Sequence, residues 1–140
     1  MSLQMDAAEL MEFLEEVFPQ VRGDFAVDVL SEDEISMRLS VQDKHLRPGG
    51  TVSGPSMFAL ADCAAYAMVL ARIGREALAV TTNCSMDFMR KPVAGVDLVG
   101  TCKMLKLGRS LAVCDILIYS VGQAAPVARA SMTYSIPPAR

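Results

Sequence analysis

From Pro48 through Ala71 the chain carries one ordinary charged side chain, Asp62, set among Ala59, Leu60, Ala61, Cys63, Ala64, Ala65 and Tyr66. Aspartate suits a helix interior poorly, because its short carboxylate competes for backbone hydrogen bonds. It is also rarely buried without a partner. A residue that works against local stability is a candidate for function, and a carboxylate there could serve as nucleophile or general base. Two structural alternatives stay open: Asp62 lies on a wet stripe of its helix, or it accepts hydrogen bonds from neighbouring backbone. Upstream, Ser53-Gly54-Pro55-Ser56 has the composition of a helix start. Free N–H groups at such a positive dipole end can polarise a carbonyl and stabilise an oxyanion. Gly54 would let a ligand approach the backbone closely. The same residues also read as an ordinary cap, with Ser53 or Gly54 as N-cap and Pro55 in the first turn.

The spacing of these two features constrains any joint chemistry. Gly54 and Asp62 are eight residues apart on or near one helix, which is ~12 Å at the usual rise per residue. One reacting carbonyl cannot touch both at hydrogen-bond distance. If both act on one substrate they come from two copies of the helix, so the catalytic hypothesis demands at least a dimer.

The elements that must hold these residues follow from periodicity. Residues 6–18 predict an amphipathic helix, with Leu10, Phe13, Leu14 and Val17 on one face, Asp6 as N-cap and Pro19 as its stop. Phe25, Val27 and Val29 predict a strand. Ile35, Met37, Leu39 and Val41 predict another, separated from the first by a turn-like Ser31-Glu32-Asp33-Glu34. A loop over 42–54 leads into the central helix, expected over about 55–72 and ended near Gly74. Strands are expected at about 77–89, 95–106, 110–121 and 125–136. The short turns between them favour an antiparallel sheet over βαβ units. The expectation is one α+β domain over 1–140, an antiparallel sheet wrapped around a long central helix.

Composition narrows the function classes. With 140 residues, 52% of them hydrophobic and 21% charged, the chain can bury a core unaided, and the apolar surplus is consistent with a subunit interface or simply a well-filled core. A net charge of −3 argues against general nucleic-acid binding. The four cysteines form no C-x-x-C pair and His45 is the single histidine, so no metal site is expected; reduced cysteines suit a cytoplasmic protein. The N-terminus lacks the basic start and apolar run of a signal peptide. The most apolar stretch, Met57 to Ala71, is short of a membrane span.

The segment His45-Leu46-Arg47-Pro48-Gly49-Gly50-Thr51-Val52-Ser53-Gly54-Pro55, continuing to Leu60-Ala61-Asp62, resembles the active-site region of PaaI-like hotdog thioesterases of the 4-hydroxybenzoyl-CoA thioesterase type. Val80 through Pro92 looks like that family's strand ending in Phe-Leu-Arg-Pro, and Lys103 through Ser110 like its next hairpin. The likeness runs over roughly residues 24–136. It implies a hotdog fold and hydrolysis of an acyl-CoA thioester. In that reaction the Gly54 amide would polarise the carbonyl and Asp62 of a partner subunit would be nucleophile or general base. Thr81 would stand where some members carry a water-assisting serine. The resemblance also implies a homo-oligomer, dimer or tetramer, and no cofactor beyond the coenzyme A of the substrate. Two departures bear on activity: Ser53 replaces the family histidine, and Pro55 the second glycine. Arg47 replaces an asparagine. Ser53 could still contact a carbonyl or cap the helix.

Other residues are weighed as substrate-binding. Arg90, Lys91, Lys106 and Arg109 lie at expected strand ends and could bind coenzyme A phosphates; solvated turn charges are the alternative for each. His45, Arg47 and Pro55 are expected at a pocket rim. Ser53 as a serine-hydrolase nucleophile is disfavoured by the absence of G-x-S-x-G. Cys63 is expected to be inert beside a carboxylate. The competing functions are a non-catalytic acyl-CoA-binding hotdog module, which loss of the family histidine supports, and a hydratase, which would need a histidine on the helix.

Overall fold

The computed structural model describes residues 2–138. Helix α1 spans Ala7–Val17 and is closed at its start by a capping box: the Asp6 carboxylate accepts from the Glu9 N–H at 2.8 Å while Glu9 accepts from the Asp6 N–H at 3.2 Å. It buries Leu10, Phe13 and Leu14. Val17, expected on that face, is exposed. Strands β1 (Phe25–Leu30) and β2 (Glu34–Leu39) form a hairpin. The alternation of β2 is realised in full, with Ile35, Met37 and Leu39 completely buried. The strand ends two residues before Val41, whose N–H leaves the ladder to donate to the Asp97 carboxylate at 3.0 Å.

Helix α2 spans Gly54–Ile73, one residue longer at each end than expected, and stops at Gly74, whose φ of 95° favours glycine. Nearly every residue from Leu60 to Arg72 is buried. At 20 residues with a mean hydropathy of 1.5 the helix is long and apolar enough to cross a membrane, which corrects the shorter span read from the sequence. About two-thirds of this apolar stretch is buried inside the molecule, so α2 is a core helix. It packs so closely on the sheet that a Cβ placed on Gly100 would lie 3.2 Å from Cγ of Leu60. Leu60 is fully buried. Leu60→Ala is therefore expected to cost about 2–5 kcal/mol, read as a drop in the urea midpoint; a loss below ~1 kcal/mol would mean that the helix collapses onto the sheet and refills the space.

The remaining strands are β3 (Val80–Phe88), β4 (Leu98–Leu107), β5 (Leu111–Ser120) and β6 (Ala128–Ser135). Each is shorter at its start than expected. One antiparallel sheet results, in the order β1-β2-β4-β5-β6-β3, and it wraps around α2 as a hotdog fold. Strand β3 follows α2 in the chain but crosses to the far edge beside β6. Among the described residues only its β6 side is paired, and most of its residues are exposed.

The ladder of β3 is irregular at one point. Thr81 pairs with Tyr134, but Asn83 pairs with Thr133, so Thr82 is an extra residue in the ladder. Such a bulge re-aims side chains. Upstream of it Thr81 shares the inner face with buried Tyr134; downstream Cys84, Met86 and Phe88 share it with buried Met132, Ala130 and Ala128.

Candidate active site

The start of α2 is built by the loop before it. Ser53 is the N-cap: its Oγ accepts from the Ser56 N–H at 3.3 Å and donates to Ser56 Oγ at 3.0 Å. Pro55 contributes no N–H, and Gly54, as first helical residue, has no carbonyl one turn back within the helix. The Gly54 N–H is thus the donor offered at the positive end of the dipole. Gly49 and Gly50 have φ of 102° and 85° and turn the loop back, with Arg47 N–H on Thr51 O at 2.9 Å and Ser53 N–H on His45 O at 2.8 Å.

His45 anchors this loop from inside. It is buried; its Nδ1 accepts the Gln42 N–H at 2.9 Å and its Nε2 lies 3.6 Å from Asp24. Asp24 also receives Lys44 Nζ at 2.8 Å and the Gln42 amide at 3.1 Å. Burial pushes the Asp24 carboxyl up, but Lys44 and His45 together outweigh it and hold the group below its ordinary 3.8. A carboxylate whose pKa is lower folded than unfolded stabilises the fold fully above the ordinary value, and that contribution disappears as pH falls through the depressed one. Below about pH 4 the urea midpoint of the wild type should therefore fall more steeply than that of Asp24→Asn. Parallel curves would show that the cluster contributes nothing to folding.

Around Gly54 lies a cleft of ≈ 430 Å³ lined in part by Arg47, Met57, Phe88, Arg90 and Lys91. The Phe88 ring covers the glycine: a Cβ on Gly54 would meet it at 3.4 Å. Arg90 donates from its guanidinium to the Pro126 carbonyl. None of Arg47, Arg90 and Lys91 is in an ion pair among the described residues. Three cations and a helix N-terminus without a carboxylate among them form a natural seat for a polyanion.

Asp62 occupies the one open stripe of α2, with Pro55, Phe58 and Ala59 exposed and Asp62 and Tyr66 half-buried. Of the two structural alternatives the first holds, since the acid is on the wetter face; the second does not, because among the described residues the carboxylate is hydrogen-bonded by side chains and not by backbone. Thr81 Oγ1 donates to Asp62 Oδ1 at 2.7 Å, and the Tyr134 hydroxyl donates to the same oxygen at 2.6 Å. Oδ2 makes no hydrogen bond among the described residues. Next to it, burial and then the Asp62 charge push the Cys63 thiol up to about 12, which suppresses the thiolate.

The site residues expected from sequence thus fall into separate groups. Gly54, Ser53, Arg47, Arg90 and Lys91 converge on the start of α2, and Asp62 and Thr81 meet two turns along it. Pro55 is exposed beside the first group. His45 turns inward to hold the loop. Arg109 lines a different cleft, with Arg72, Leu107 and Ile136, and Lys106 is exposed on the same hairpin. Tyr134 was missed; its signal, one tyrosine at an inward-facing position of the last strand, is no different from that of a core residue.

With this geometry in place, the relatives can be set beside it. The family model of the thioesterase superfamily matches residues 49–134, and the chain belongs to that superfamily. A crystal structure from a Silicibacter species that carries a provisional thioesterase designation is 66% identical, with a TM-score of 0.93 over 99% of this chain and 96% of that one. A variant of the phenylacetic acid degradation protein PaaI from Thermus thermophilus is 26% identical, with a TM-score of 0.71 over 90% and 99%. A hypothetical thioesterase protein from Streptococcus pneumoniae, crystallised with coenzyme A, shares the fold at 17% identity, with a TM-score of 0.77 over 94% and 98%. Among curated proteins none matches the chain.

Proposed function

We propose that this chain hydrolyses an acyl-CoA thioester to a carboxylic acid and free coenzyme A, working as a cytoplasmic homo-oligomer. The observation that carries the reading is Asp62. It is the sole acid on the open stripe of an apolar helix, with one oxygen held by two hydroxyls and the other unengaged among the described residues.

Thioesters are activated acyl groups, so a carboxylate and an oxyanion donor suffice without a cofactor. Asp62 Oδ2 acts as nucleophile on the thioester carbonyl or as base toward the water that attacks it. The carbonyl oxygen, negative in the tetrahedral state, accepts the Gly54 N–H. Collapse breaks the C–S bond. On the base route the thiolate takes the proton that Asp62 removed from water; on the nucleophile route the thiolate is protonated by solvent and water then hydrolyses the mixed anhydride on Asp62, releasing the acid. Arg47, Arg90 and Lys91 hold the coenzyme A phosphates at the helix start.

The two catalytic groups sit about 12 Å apart on one helix, so each site draws Gly54 from one subunit and Asp62 from its partner. Two open surfaces support this arrangement. The stripe of Pro55, Phe58 and Ala59 is apolar, and the edge of β3 leaves one side of its ladder unpaired; a two-fold contact covers both. A tetramer would pair two such dimers. The four free cysteines, three of them buried, fit a reducing compartment.

Thiol release from short, medium, long-chain and aryl acyl-CoAs tests the reading. Turnover of at least one class is expected. Tight binding without thiol release from any of them would replace the enzyme with an acyl-CoA-binding module, the alternative to which Ser53 in the family's histidine place points.

A further inference from the structure

Tyr134 belongs to β6, and its cross-strand partner on β3 is Thr81. Their side chains rise from the inner face of the sheet to the same carboxylate. The Tyr134 ring is almost completely buried and stacks on Tyr66, with centroids 6.0 Å apart and planes 26° from parallel. Tyr66 is itself fixed by its hydroxyl on the Ala77 carbonyl at 2.8 Å. The Tyr134 hydroxyl therefore cannot swing: it points at Asp62 Oδ1 at 2.6 Å and passes 3.1 Å from the Asp62 carbonyl oxygen.

A carboxylate on a short stem has a broad, two-fold terminal torsion, so its two oxygens are ordinarily interchangeable. Here they are not. Both donors converge on Oδ1, and none of the described residues donates to Oδ2. We propose that Tyr134 is a positioning residue that, paired with Thr81, fixes the plane of the Asp62 carboxylate and designates Oδ2 as the reacting oxygen. The inference rests on the thioesterase reading and deepens it. It gives Thr81 a different task from assisting water, since its hydroxyl proton is directed to Asp62. Burial, and after it the Asp62 charge, raise the Tyr134 hydroxyl far above its ordinary range, so it remains a donor at every working pH.

The test is a double-mutant cycle. Tyr134→Phe keeps the ring and its stack on Tyr66 but removes the donor. It should lower kcat about 10- to 100-fold, the scale of a small misplacement of a reacting group, with KM and Tm little changed. In an Asp62→Asn background the same substitution should have no further effect on kcat, because the group it aims is gone. Equal kcat for wild type and Tyr134→Phe overturns the inference, as does a loss of the same size in both backgrounds. If Tyr134→Phe does not fold, Thr81→Ser, which keeps its donor on Oδ1, should exceed Thr81→Val in kcat at equal KM; no difference rejects the designation of Oδ2. A wild type that releases no thiol from any acyl-CoA is a separate result and removes the thioesterase reading itself.

Discussion

Asp62→Asn is expected to leave the fold and the proposed oligomer intact and to lower thioester turnover by about 10²–10⁴, the contribution of a positioned acid–base group. The substitution is nearly isosteric, and the surroundings dictate its orientation. Thr81 and Tyr134 both donate to the Oδ1 position, so the amide oxygen must take that place; the NH₂ group would otherwise face two donors. The nitrogen then sits where Oδ2 was, and it neither accepts a proton nor attacks a carbonyl. Every contact of Asp62 to the scaffold survives while the reacting atom is lost. Thiol release measured against Tm separates the two. A variant within about threefold of wild-type kcat would exclude Asp62 as the reacting group, whatever the wild type turns over.

The second large effect comes from Gly54. Gly54→Pro removes the N–H assigned to the oxyanion while keeping a residue that a first helical turn accepts. Loss of one such donor costs about 10²–10³ in kcat. Gly54→Ala keeps the N–H, and its Cβ meets the Phe88 ring at an ordinary 3.4 Å, so it should stay well above Gly54→Pro. The pair of variants also reads the assembly. A heterodimer of one Gly54→Pro chain and one Asp62→Asn chain has one site with both groups intact and one with neither, if each site spans two subunits. It should recover about half the wild-type turnover per dimer. If both groups served one site within a chain, every site would stay defective and mixing would restore nothing. A mixture no more active than its parents thus rules out the shared site.

Much of this is legible in the sequence. Asp62 was conspicuous because nothing else near it in its helix is charged. Gly54 stood out because Ser, Gly and Pro in that order start helices. The buried face of β2 followed from strict alternation. Topology was not legible: no local pattern says that β3 crosses to the far edge, yet that crossing brings Thr81 beside Tyr134. The tyrosine reaches Asp62 from 72 residues away, and only the register of β3 on β6 aligns them. The basic residues show the same limit. Arg90, Lys91, Lys106 and Arg109 all read as charges at strand ends, but strand ends lie at both ends of the sheet, and only Arg90 and Lys91 join Arg47 at the helix start. His45 looked like a rim residue because its loop is polar. Its ring is buried instead, with Nδ1 accepting from the Gln42 N–H and Nε2 turned toward the Asp24 carboxylate.

The extra residue at Thr82 divides β3 into two modules of opposite phase. In an unbroken strand, Thr81 and Phe88, an odd number of positions apart, would point to opposite sides of the sheet. With Thr82 inserted, both look inward. The upstream module serves the carboxylate and the downstream one the ring over the helix start. Side chains near Phe88 can then be exchanged to reshape the cleft at the helix start without retuning the grip on Asp62. Adding or deleting one residue between the modules would turn one of them to face solvent.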